Sequence, residues 1–414
     1  MKRLDASSKR IERDIVSLAK LGATSNGGVS RFALDKADLS GRSFVLQLMN
    51  EAGLLVRIDK AGNIIGLRPG TDPRLPVIAT GSHTDTVIDG GWFDGAIGVL
   101  GAIEAIRIMN EQGIQTRRSV EVILFTGEEG SRYVGTLGSR VMSGALSLDD
   151  ANSLVDPKGV TFRQAMLDSG YDERHLANVP RRKGEIDSFV EMHVEQGPVL
   201  EKAGCPIGVV EAIVGLVQMR TVIQGEAAHA GTTPMDSRRD ALLGAAKSIL
   251  KVNEAARSVG GNCVGTVGWV NVEPGAFNVV PGKVEFGIDV RDTSEVGLGS
   301  AIDAVKSSVA DICRQSGLQC EVKERARTTP TPMSTRIITT IDEVAQNKEF
   351  RYMRMPSRAG HDTMQMARFT DVGMIFVPSR RGISHSPKEW TDWDDIARGT
   401  DVLLGTLEKL AERI

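Results

Sequence analysis

The stretch that most restricts how this chain can fold runs from Leu75 to Asn110. Leu75-Pro-Val-Ile-Ala-Thr80 is a short apolar run of the kind that makes a buried strand. Gly81-Ser-His-Thr-Asp-Thr86 and Gly90-Gly-Trp-Phe-Asp-Gly95 follow it. Beyond them Ile97, Leu100, Ile103 and Met109 recur at helical spacing, which puts Asp94 near the start of a helix. Strand, glycine-rich loop and helix in that order belong to an open α/β sheet, where ligands gather outside the carboxyl ends of the strands. His83 and Asp85 then stand at a strand end with Asp94 beside them. An imidazole and carboxylates in such a place suit a metal ion, provided other segments supply more ligands.

The 414 residues are too many for one core, so two domains are expected. Hydrophobic residues at 41% and charged residues at 25% fit a soluble globular protein. A net charge of −3 with no basic run gives no footing for nucleic acid or a membrane surface. Cys205, Cys263, Cys313 and Cys320 form no Cys-x-x-Cys pair, which excludes a zinc knuckle and a disulfide framework and suits reduced cytoplasm. Met1 to Asp5 leads into a charged amphipathic segment, not a signal peptide, and no apolar run reaches the ~18 residues of a membrane span. A cytoplasmic location is expected.

Helical periodicity covers 5–22 and 37–53, and 55–58 with 63–67 reads as a hairpin. Ser119 to Thr126 is a second buried strand running into Glu128-Glu129. Taken alone, that acidic pair reads as a solvated loop. Residues 147–186 are polar and irregular, with His175 as a surface histidine. In Phe189 to Gln196, alternation puts Glu191, His193 and Glu195 on one face, which argues for a site over core. From Val214 the pattern becomes strand 217–225, helix 237–258, strands 264–272 and 283–291, helix 300–315 and strand 319–325. That order, βαββαβ, predicts a ferredoxin-like insert. The fold expected is α/β: a doubly wound domain with a central mixed sheet over 1–213 and 331–414, and the insert over 214–330. Residues 373–378 form a strand of the larger domain, with Gly382 to Pro387 as the loop at its end.

Four predicted strand ends thus carry ligand-type side chains: His83 with Asp94, Glu128-Glu129, His193 and His385. Two metal ions about 3.5–4 Å apart need a bridging carboxylate. Asp94 is the natural bridge, with His83 and His193 completing one site and Glu129 and His385 the other. Asp85 is placed to hold the other nitrogen of His83. Nitrogen and oxygen donors without thiolates suit two divalent ions, zinc or manganese, with cobalt and nickel also compatible. The residual positive charge of such a pair favours an anionic substrate. Glu128 then serves as general base, taking a proton from water and passing it to a leaving nitrogen.

These residues resemble the aminoacylase and carboxypeptidase-like family of binuclear metallohydrolases, and within it the amidase/hydantoinase/carbamoylase branch. The matching blocks are Gly81–Thr86, Gly91–Gly95, Glu128–Arg132, Glu191–Gly197, His229–Pro234, Asn278–Gly282, Asp289–Arg291, Gly360–Asp362 and Gly382–Pro387. Asp85 and Asp94 are nine residues apart, where the family's peptidases have a much longer gap. His193 stands where those peptidases usually carry an acid.

The resemblance implies hydrolysis of the ureido bond of an N-carbamoyl-L-amino acid, a small anionic substrate. Allantoate, β-ureidopropionate and ureidoglycolate are the nearest alternative substrates, and a dipeptidase or aminoacylase activity is more distant. It also implies a homodimer joined through the insert, which closes as a lid. Arg291 would clamp the substrate carboxylate, and Gln196, Asn278 and Gly360 would hold the substrate. His229 would stabilise the oxyanion from the partner subunit. On the residues alone, Arg291 also reads as an exposed strand end and Asn278 as a turn residue before Pro281. His361 either packs beside the site or takes part in it. Arg358 departs from the branch, which often has glycine there; it either favours a more acidic substrate or points to solvent.

Overall fold

The computed structural model describes residues 5–412 and 414; the opening residues 1–4, read above as the lead into a charged segment, lie outside them. The chain divides into two compact units, Met1–Glu211 with Met333–Ile414, and Ala212–Pro332.

In the first unit the mixed sheet runs in the order Leu55–Ile58, Ile64–Arg68, Val120–Leu124, Val77–Ser82, Ile186–Val194, Asp371–Val377, Ile207–Ile213. The four central strands, from Val120–Leu124 to Asp371–Val377, are mutually parallel, and antiparallel pairs flank them. Their apolar runs are nearly continuous because both faces are covered. The helix Ala96–Glu111 is buried almost all round, since it packs on the central strands and is covered by Ser8–Ala19 and Trp393–Leu410. The order reverses at Val77–Ser82, which has the next strand in the chain on one side and Ile186–Val194 on the other. A crevice at the carboxyl ends is the consequence of such a reversal.

Gly81 has φ 145°, and a Cβ there would collide with the carbonyl of Ile123 on the neighbouring strand. Gly81→Ala is expected to lose at least about 2 kcal/mol of stability through forced strand separation. Urea unfolding followed by circular dichroism measures this, and a loss under about 0.5 kcal/mol, the range of an ordinary surface substitution, would contradict it.

Two sequence expectations change here. Residues 147–186 are not merely irregular: Leu148–Ser153 and Phe162–Asp168 are helices, and Phe162, Ala165 and Met166 join Tyr133, Leu137 and Val141 in a small separate core. Glu195 does not continue the face of His193. The strand ends at Val194, and the Glu195 carboxylate turns to accept from the amides of Val199 and Leu200, both at 2.8 Å.

The second unit has the βαββαβ order. Its antiparallel sheet runs Gln319–Thr328, Gly215–Gln224, Lys283–Asp292, Val264–Glu273. Helices Ala241–Val259 and Glu295–Gln315 cover one face, where Val217, Phe286, Ile288, Leu298 and Ile302 meet. The first helix starts four residues later than periodicity suggests and the second five earlier, because the caps decide. Asp240 accepts from the amides of Leu242 and Leu243, and Ser294 accepts from that of Gly297.

Candidate metal centre

Five ligand-type side chains come together at the carboxyl ends of the parallel strands of the first unit. His83 follows Val77–Ser82, Glu129 follows Val120–Leu124, and His193 closes Ile186–Val194. His385 lies on the loop after Asp371–Val377, and Asp94 just precedes the helix Ala96–Glu111. Among the described residues they form two groups, His83-Asp94-His193 and Asp94-Glu129-His385, that share Asp94. Its two oxygens divide between them. Oδ1 lies 3.1 Å from His193 Nε2 and 3.8 Å from His83 Nε2. Oδ2 lies 3.1 Å from His385 Nε2, which is 3.5 Å from Glu129 Oε2.

The backbone sets the tautomers. His83 Nδ1 lies 3.0 Å from the Asp85 carbonyl, and His193 Nδ1 lies 2.9 Å from that of Val194. A carbonyl only accepts, so each Nδ1 carries a proton and each Nε2 is the nitrogen turned on the cluster, where an ion would take the place of any proton it holds. The expected partner of His83 was the Asp85 side chain, and here the structure differs. That carboxylate is 3.6 Å away and instead accepts from the amides of Glu128 (3.0 Å) and Glu129 (3.1 Å), fixing the turn that presents both acids. Glu128 and Glu129 are accordingly drawn in, not solvated, with side chains 12% and 6% exposed. Glu128 Oε2 lies 3.7 Å from His83 Nε2.

So many buried acids perturb one another. Burial and the neighbouring Asp94 and Asp85 push Glu129 up to about 10. Burial, Asp362 and Glu129 push Glu128 well above the ordinary carboxyl range. Asp94 goes the other way: against its burial, hydrogen bonds to His193 and His385 hold it well below. His193 rises to about 9 on its bond to Asp94 although burial opposes it, whereas burial takes His83 down to about 4. A crowd of carboxylates facing inward with imidazole nitrogens among them is a donor set that divalent cations fit.

Gln196 also reaches the cluster, its Nε2 donating to Asp94 Oδ2 at 2.9 Å. Gln196 (φ 59°) and His385 (φ 52°) both hold left-handed backbone, a strain on the order of 1–3 kcal/mol each that is concentrated at functional sites. His361 is buried with its ring edge-on to His193, centroids 4.5 Å apart, and its Nε2 2.9 Å from Ser357 Oγ. It packs beside the cluster. Glu191, His193 and His361 make a third close group. The Glu191 oxygens are already engaged, however, by Ser82 Oγ (2.7 Å) and by the amide (3.0 Å) and hydroxyl (2.6 Å) of Thr363, so Glu191 braces the strand ends. Gly360 and Arg358 are both exposed.

His229, Asn278 and Arg291 belong to the second unit. The first two are joined by a two-stranded ribbon in which Ala230 N–H donates to the Asn278 carbonyl at 2.9 Å. His229 Nδ1 accepts from the amides of Gly231 (3.0 Å) and Thr232 (3.2 Å), which leaves Nε2 as the protonated, donating nitrogen. Arg291 Nε donates to Asp289 Oδ1 at 2.8 Å.

Sequence reading missed two supports. Arg31, buried, donates from Nε to the Thr84 carbonyl at 2.6 Å and so pins the turn between His83 and Asp85. Glu389 accepts from the amides of Phe93 and Asp94. Neither sits at a strand end, the signal that pointed to the other residues.

Comparison with known proteins shows the family of the chain. Residues 79–409 match the model of peptidase family M20/M25/M40. N-carbamoyl-L-amino-acid amidohydrolase of Paenarthrobacter aurescens is 41% identical over 98% of both chains. Ureidoglycolate hydrolase of Arabidopsis thaliana is 37% identical over 99% of this chain and 87% of its own. The crystal structure of an amidase of the hydantoinase/carbamoylase family from Burkholderia multivorans superposes with TM-score 0.93 at 34% identity, covering 98% of both chains. Sequence and fold agree, and the chain belongs to peptidase family M20/M25/M40, beside the amidases of the hydantoinase/carbamoylase type.

Proposed function

We propose that this protein is a binuclear metal-dependent amidohydrolase that cleaves the ureido C–N bond of N-carbamoyl-L-amino acids, giving ammonia, carbon dioxide and the free amino acid. The observation that carries this reading is the division of Asp94 between two ligand groups with Glu128 alongside. Similarity to the Paenarthrobacter enzyme supports the choice of substrate.

Two divalent ions, zinc or manganese, would be held by His83, Asp94 and His193 and by Asp94, Glu129 and His385. When bound they supply Lewis acidity to the carbonyl and to water. Glu128 takes a proton from the attacking water and returns it to the nitrogen that leaves as ammonia; the remaining carbamate then loses carbon dioxide. Asp85 keeps Glu128 and Glu129 in register through their amides. Gln196 and Gly360 are assigned to substrate binding with Asn278 and His229, whose Nε2–H is of the right polarity to donate to an oxyanion. The insert, residues 214–330, is assigned as lid and dimer interface, and the protein as a cytoplasmic homodimer.

Arg291 is the proposed clamp for the substrate carboxylate. Arg291→Ala is expected to lower kcat/KM on N-carbamoyl amino acids about 10–100-fold, the worth of a charge-assisted pair, with far less effect on a neutral ureido compound. Equal losses on both would remove the clamp.

Ammonia release from N-carbamoyl-L-amino acids, allantoate, β-ureidopropionate and ureidoglycolate, with manganese or zinc added, tests the whole proposal. The highest kcat/KM is expected on an N-carbamoyl-L-amino acid. Preference for ureidoglycolate would overturn the substrate, and no release from any of the four would overturn the reaction.

A further inference from the structure

Besides the ligand-type side chains, one buried carboxylate reaches both halves of the cluster. Glu389 is 5% exposed. Its Oε1 accepts from the amides of Phe93 (2.9 Å) and Asp94 (3.0 Å), and its Oε2 accepts from Ser384 Oγ at 2.7 Å. Ser384 directly precedes His385. A single side chain therefore ties the segment that carries the shared Asp94 to the loop that carries His385.

The surroundings are shaped for this contact. A Cβ on Gly91 would collide with Glu389 Oε1, so the glycine is what lets the carboxylate reach the two amides. On the other side Trp390 and Trp393 pack on the Phe93 ring, centroids 5.4 and 5.3 Å away. They leave the Phe93-Asp94 backbone little room to shift.

We propose that Glu389 is a positioning residue of the metal centre, holding Asp94 and His385 at the separation two ions require. The proposal rests on the metal-binding reading given above. Its expected mark is on affinity for the ions, measured without any substrate.

Protein stripped with a chelator and titrated calorimetrically with Zn²⁺ provides the test. Wild type is expected to take up two ions. Glu389→Ala should weaken at least one of them about 10–100-fold, as loss of a group that orients ligands does. Glu389→Gln, whose amide oxygen still accepts from Phe93 and Asp94, should recover most of that loss. Ser384→Ala removes the link to the His385 loop together with the longer contacts of the same hydroxyl to Asp94 Oδ2 (3.2 Å) and Gln196 Nε2 (3.4 Å), and should weaken at least one ion about 3–10-fold, the worth of one hydrogen bond or slightly more. It also carries the test if Glu389→Ala does not fold. Unchanged affinities in the Ala variants, beside a wild type that binds two ions, would overturn the role of Glu389 and leave the proposed function standing. A wild type that binds no pair of ions would overturn the reading beneath it.

Discussion

Glu128→Gln is expected to lower kcat by about 10²–10⁴-fold, the usual contribution of a general base, while both ions stay bound. The substitution keeps the shape of the side chain. It also keeps the backbone, because the Glu128 amide is held by Asp85 Oδ1 at 3.0 Å whatever the side chain. Glu128 belongs to neither group of ligands, so metal content should not change. What disappears is a carboxylate whose hold on a proton is strengthened by burial and by Asp362 and Glu129. Turnover and metal content measured on the same preparation check both halves of the prediction. Activity within about tenfold of wild type would mean that another group moves the proton.

Part of this centre is legible in the sequence for a simple physical reason. Parallel strands buried on both faces must be nearly all apolar, so a ligand-type residue closing such a run stands out. Val120–Leu124 before Glu128-Glu129 and Asp371–Val377 before His385 are cases of this. The supports follow another logic. Glu389 caps amides 295 and 296 positions away in the chain, and nothing in the local pattern around it announces a long-range partner. Arg31 is in the same position: a charged residue in an unremarkable turn that is buried only because three carbonyls, of Leu18, Leu21 and Thr84, converge on it. Alternation misleads at Glu195, since it assumes that a strand continues, and this one stops one residue earlier to let Gln196 take up left-handed backbone. The helices within 147–186 are six and seven residues long, too short for periodicity to rise above the polar background.

The second large effect concerns Asp94. Asp94→Asn is expected to reduce the metal content from two ions to one or none. Turnover should fall on the order of 10³-fold, what losing about 4 kcal/mol of metal-assisted stabilisation amounts to. Both carboxylate oxygens are in use: Oδ1 faces His193 and His83, and Oδ2 faces His385 and accepts from Gln196 Nε2. An asparagine has one acceptor oxygen, and its amino group must point to one of the two sides. Turned toward His193 it offers that group no ligand oxygen and can donate to the nitrogen an ion would need. Turned toward Gln196 it sets donor against donor and takes the acceptor away from the His385 side. In either orientation one ligand group is left with two members, while the packing volume and the amide contacts to Glu389 are kept. The variant therefore separates bridging from mere bulk, and elemental analysis after dialysis reads the outcome directly. Two ions still held tightly by Asp94→Asn would remove Asp94 from the bridging position.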